Sequence, residues 1–81
     1  MSEGGKFSRI MGVAHIRELE GRDYVEVTFF ESARFYRLSK EDPAFDEMIA
    51  LLREAMAKRR PVIVRLASID SDIIEDVQPG D

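Results

Sequence analysis

The chain has 81 residues, 44% of them apolar and 35% charged, with 12 Lys or Arg against 16 Asp or Glu and no cysteine. That length holds one domain and one small core, and without cysteine neither a disulfide nor a thiolate metal site can staple it, so apolar packing or a partner subunit must supply the stability. The net charge of -4 is concentrated toward the C-terminus, where residues 61–81 carry a single Arg against five carboxylates, and a polyanion would be repelled there.

Residues 1–6 are polar and glycine-rich and read as a flexible leader, with no apolar core of a signal peptide and no membrane span. The reading is therefore a cytoplasmic chain with one domain over residues 7–78 and a tail at 79–81. From Ser8 to Leu19 the pattern alternates loosely, with Ile10, Gly12, Ala14 and Ile16 on one face and Met11, Val13 and His15 on the other. Gly12 within that strand predicts a bulge or a sharp bend.

Glu20-Gly21-Arg22-Asp23 predicts a tight hairpin, because Gly21 accepts the positive φ such turns need. The second strand, Tyr24 to Phe29, places Val25, Val27 and Phe29 on one face and Tyr24, Glu26 and Thr28, with Phe30, on the other. After a turn at Glu31-Ser32, Ala33 to Leu38 forms the third strand. Within it, Arg34-Phe35-Tyr36-Arg37 sends one aromatic and one arginine to each face, so one of Phe35 and Tyr36 is buried and the other exposed.

A helix is predicted over residues 43–59. Asp42 is its N-cap, Pro43 its first residue, and Asp46 and Glu47 suit the positive end of the dipole. Phe45, Met48, Ile49, Leu52, Ala55 and Met56 make one apolar stripe at helical spacing. Lys58-Arg59-Arg60 complement the negative end, and Pro61 stops the helix. Val62 to Leu66 is β-branched and reads as a central strand, Ser68 to Asp72 as a turn, and Ile73 to Val77 as the last strand before the breaker Pro79-Gly80.

The order is thus β-β-β-α-β-β, an α+β chain. It predicts a small five-stranded antiparallel sheet, or a partly open barrel, with one amphipathic helix between strands three and four. In element order across residues 7–78 it is similar to the OB-fold. That resemblance implies binding on strands two and three and in the loops between strands one and two and strands four and five.

No catalytic constellation, metal-ligand spacing, phosphate loop or cofactor motif is present, so the expected catalytic, cofactor-binding and metal residues are none and the chain is expected not to be an enzyme. His15, the lone histidine, has no positioned partner and is expected to be a half-buried strand residue. Asp70, Asp72, Glu75 and Asp76 lack the glycine and distal glutamate of a calcium loop and read as a solvated acidic turn. The candidate binding face is Tyr24, Phe30, Arg34, Phe35, Tyr36 and Arg37, an aromatic and cationic surface weighed against ordinary packing with snorkelling arginines. A small non-enzymatic module for a protein partner or a homodimer is the leading expectation. Weak single-stranded nucleic-acid binding on the same face is the alternative, and the acidic loops around it, with Glu18, Glu20, Asp23, Asp70 and Asp72, oppose it.

Overall fold

A computed structural model describes residues 7–80. The predicted leader, residues 1–6, and Asp81 lie outside the described residues. Five antiparallel strands form one open sheet, and a single helix sits between the third and fourth: β1 (Phe7–Glu18), β2 (Tyr24–Phe29), β3 (Ser32–Ser39), α1 (Phe45–Lys58), β4 (Pro61–Leu66) and β5 (Ile74–Pro79). The sheet order is β3-β2-β1-β4-β5.

The twelve-residue β1 is the spine of this sheet, because its two halves pair with different strands. Phe7 to Gly12 pair with β4, ending at Gly12 opposite Pro61, and Val13 to Glu18 pair with β2, beginning at Val13 opposite Phe29. Gly12 thus marks the handover between partners. The register irregularity follows at once, between Val13 and His15. An extra residue there bends the strand and changes which parity faces inward. Met11 and Val13 are buried before the bend, and Ile16 packs against the core after it.

Val25, Val27 and Phe29 point inward from β2 as their alternation predicts, and Val62, Val64 and Leu66 do so from β4. Tyr36 and Leu38 supply the inward face of β3. Against these pack Met48, Leu52 and Ala55 of α1, which lies on β1, β4 and β5, so helix and sheet enclose one core. Phe29 and Tyr36 meet edge to face with centroids 5.4 Å apart, the arrangement favoured by aromatic quadrupoles. The Tyr36 hydroxyl is satisfied by Ser32 Oγ at 3.0 Å.

The two edges of the open sheet meet at one point. Arg37 of β3 forms a parallel bridge with Ile73, just before β5, and its amide donates to the Asp72 carbonyl at 2.8 Å. The tight turn after β1 contains Gly21 at φ 79°, as expected of the hairpin.

Several boundaries differ from the sequence reading. The helix starts at Phe45 with Ala44 as its N-cap, two residues later than predicted. The Asp42 carboxylate accepts from the Ala44 amide at 2.8 Å and its carbonyl accepts from Phe45. Asp42 therefore closes a turn of its own in front of the helix instead of capping it. Met56, counted in the apolar stripe, lies at the margin and is exposed. The last strand begins at Ile74 and runs through Pro79, which pairs with Val62. β5 is an edge strand, where a residue without an N-H is tolerated.

Candidate protein-binding face

The outer surface of β1, β2 and β3 carries a row of charges fixed by strand register. Arg17 stands opposite Glu26, and Glu26 stands opposite Arg37. Arg17 and Glu26 are ion-paired at 3.1 Å, and the Arg37 guanidinium lies 4.9 Å from the centre of the Tyr24 ring. Such a cation-π contact suits a guanidinium held at a half-exposed sheet surface. Beside this row Phe35 stands 61% exposed. It lines two shallow depressions, one of about 150 Å³ with His15, Arg17, Glu26 and Thr28, the other of about 330 Å³ with Glu26, Arg34, Arg37 and Asp72.

Of the six residues the sequence singles out, Tyr24, Phe35 and Arg37 are brought together on this face. Tyr36 is 1% exposed and belongs to the core. Phe30 is exposed but stands elsewhere, in the turn after β2, where its amide donates to the Gly12 carbonyl at 3.0 Å. Arg34 borders the face but is engaged across the gap between sheet edges. Its guanidinium donates to the Ile69 and Asp70 carbonyls, each at 2.6 Å, and to the Asp72 carboxylate at 2.5 Å, while lying 5.7 Å from the Tyr36 ring centre. The expected snorkelling cation is thus a tie between β3 and the β4–β5 loop.

His15 is exposed, contrary to the half-buried position expected of it, because the irregularity after Val13 turns it outward. Glu26 and Thr28 share this face with Tyr24 as their alternation predicts, whereas His15 and Arg17 are members that the sequence alone did not gather. The hairpin register would have revealed Arg17 and Glu26, since fixing the turn at Gly21 places them opposite one another. Among the described residues no group of three or more His, Asp or Glu is placed to hold a metal ion. Asp72 is occupied by Arg34. Elsewhere Arg53 of α1 is ion-paired with Glu18 of β1, and Lys58 with Glu54 at 2.7 Å. The hydrogen bond and charge of Lys58, with a smaller effect of Arg60, hold the Glu54 carboxyl below the ordinary glutamate range. No helix among the described residues is long and apolar enough to cross a membrane.

No protein-family model and no curated protein matches the chain. Among solved structures it is similar to pro- protein-glutaminase, at 24% identity and a TM-score of 0.76 over 89% of this chain and 24% of that one. It is also similar to a mutant of pro- protein-glutaminase, at 22% identity and a TM-score of 0.78 over 98% of this chain and 26% of that one. The chain thus spans about a quarter of the length of those proteins, and at this identity the likeness is one of fold. It nevertheless overturns the expectation that set enzymes aside. Protein-glutaminase is an enzyme, and the fold of this chain recurs within its pro-form.

Proposed function

We propose that this domain docks onto a folded protein through the outer face of β1, β2 and β3, with Phe35 as the anchor. The observation that carries the reading is a large aromatic, 61% exposed, beside charges that already answer one another. Burying Phe35 against a partner gains apolar area, and the Arg17–Glu26 pair and the Arg37–Tyr24 stack form a polar rim around it. The neighbours support an enzyme as the class of protein this face meets, since there the same fold makes up about a quarter of an enzyme's pro-form.

The topology supports the same face. The element order and the bridge that joins the sheet edges at Arg37 and Ile73 suit a partly open OB-like barrel, whose second and third strands are its binding surface. Single-stranded nucleic acid has less support. Arg34 is held by the β4–β5 loop and Arg17 by Glu26, leaving Arg37 as the one cation of the face without a carboxylate partner among the described residues. The working unit on this reading is residues 7–78, acting in the cytoplasm, where a chain without cysteine needs no oxidising environment to fold.

The test is affinity capture from the source cells, paired with sedimentation of the purified chain, using wild type, Phe35→Asp and the control Ile10→Ser. A protein, or a second copy of the chain, bound by wild type and by Ile10→Ser but released by Phe35→Asp is the expected result. A monomer that captures nothing, or capture indifferent to Phe35, contradicts the proposal.

A further inference from the structure

A second recess lies where the end of α1 meets β1 and the β2–β3 turn, and it shares no lining residue with the face around Phe35. Its volume is about 670 Å³, within the range of small-ligand and peptide-side-chain sites. Val13, Ala55, Met56 and Pro61 line it with apolar surface, Phe30 forms a wall, and Arg59 and Arg60 stand at the helix end.

Phe30 is 78% exposed yet held in place. Its amide donates to the Gly12 carbonyl at 3.0 Å, and the next residue, Glu31, accepts from the Gly12 amide at 2.8 Å through its carboxylate. A Cβ on residue 12 would stand 3.4 Å from the Phe30 ring, at the edge of ordinary contact, so the ring lies against the first strand at that point. An exposed aromatic with a fixed backbone costs little ordering entropy on binding.

The arginines are the second part of the site. Arg59 takes the left-handed conformation, φ 58° and ψ 44°, at a position where helices ordinarily place glycine or asparagine. A non-glycine residue held there points to a use for its side chain. Neither Arg59 nor Arg60 forms an ion pair among the described residues, although Lys58 next to them pairs with Glu54. A helix C-terminus carries about half a negative charge, which opposes an anion. Here the Arg59 and Arg60 amides already cap the Met56 and Ala55 carbonyls, and two full positive charges outweigh that residual field.

We infer that this recess binds an acidic, apolar peptide segment of a partner, seating one aromatic or aliphatic side chain between Phe30 and Met56 with its carboxylates on Arg59 and Arg60. Charge complementarity selects that occupant. An uncharged apolar segment gains nothing from the two guanidinium groups, and a basic one is repelled by them. Glu31 lines the strand side of the recess, so the acidic part of the peptide lies toward the helix end.

The experiment is fluorescence anisotropy with a fluorescein-labelled synthetic octapeptide containing one Phe followed by Asp residues, against the same peptide with every Asp replaced by Asn. Arg59→Gly is the central variant. It removes the whole side chain while giving the left-handed position the residue it favours, so the fold is retained and a loss of binding reads the Arg59 side chain, with the Asn peptide reading the charge. Saturable binding of the acidic peptide is expected, roughly tenfold weaker for the Asn peptide, for Arg59→Gly with Arg60→Gln, and for Phe30→Ser, and weakening as salt is added. Amide shifts should fall on Gly12 to Ala14, Phe30, Glu31 and Ala55 to Arg60, and Phe35→Ala should leave the affinity unchanged. That last arm separates this site from the face proposed above. No saturation at millimolar protein, equal affinity for the Asn peptide, or binding untouched by the Phe30 and arginine variants overturns the inference.

Discussion

Replacing Arg34 with alanine removes a side chain that ties the third strand to the loop before the fifth. Three charge-assisted contacts are lost together, to the Ile69 and Asp70 carbonyls at 2.6 Å and to the Asp72 carboxylate at 2.5 Å. Hydrogen bonds to charged groups are worth about 1.5–3 kcal/mol when well shielded, and exposed ion pairs about 0–1 kcal/mol. The Arg34 side chain is 39% exposed and that of Asp72 51%, so the contacts fall between those limits. Because one side chain makes all three, they do not add as independent terms, and a net loss of about 1.5 kcal/mol is expected. For a domain of this size that is a fall in Tm of roughly 6–12 °C.

The loss should also be local. The Arg37 amide, which donates to the Asp72 carbonyl at 2.8 Å, should exchange with solvent faster in Arg34→Ala, while Val27 in the middle of the sheet should slow or quicken only with global stability. Arg34→Lys should fall close to the alanine variant, because an ammonium keeps the charge but lacks the fork that reaches two carbonyls and a carboxylate at once. Thermal unfolding followed by circular dichroism, with amide exchange by NMR, reads both effects. A Tm unchanged within a degree or two and an Arg37 amide as protected as in wild type would refute the assignment of Arg34 as the tie.

Leu52 is fully buried between helix and sheet, and Leu52→Ala should cost about 2–5 kcal/mol, measured by urea unfolding. Tyr36→Phe keeps the ring against Phe29 but strips the hydroxyl from Ser32, a loss of about 0.5–1.5 kcal/mol in the same assay. Glu54 should titrate below an ordinary glutamate when followed by carboxyl NMR, and Lys58→Met should bring it back up. Because the folded value is the lower one, the Glu54–Lys58 contribution is present above the unfolded glutamate value and is lost as pH falls through the folded one.

The strands and the helix were legible because their periods are local. Val25, Val27 and Phe29 alternate, and Met48, Leu52 and Ala55 recur at helical spacing, so both inward faces follow from neighbouring residues. The Phe35–Tyr36 choice was also within reach. Leu38 has the parity of Tyr36, and an apolar residue two positions away marks the inward face. The start of the helix was misplaced because Asp42 can cap a helix or close a turn, and only the position of Ala44 decides between them. Arg34 and the recess beside Phe30 were hidden for another reason. Arg34 reaches residues 35 to 38 positions away, and the recess joins Gly12, Phe30 and Arg59 from three separate elements. Such meetings depend on how the strands order themselves in the sheet, and no local pattern encodes that order.

The proposal that this domain works through the Phe35 face is tested most directly by cross-saturation NMR on the labelled domain in complex with the protein it captures. Saturation is expected to transfer to the amides of His15, Arg17, Glu26, Thr28, Phe35 and Arg37. Transfer to the solvent side of α1, at Asp46, Arg53 and Ala57, with Phe35 untouched, would contradict it.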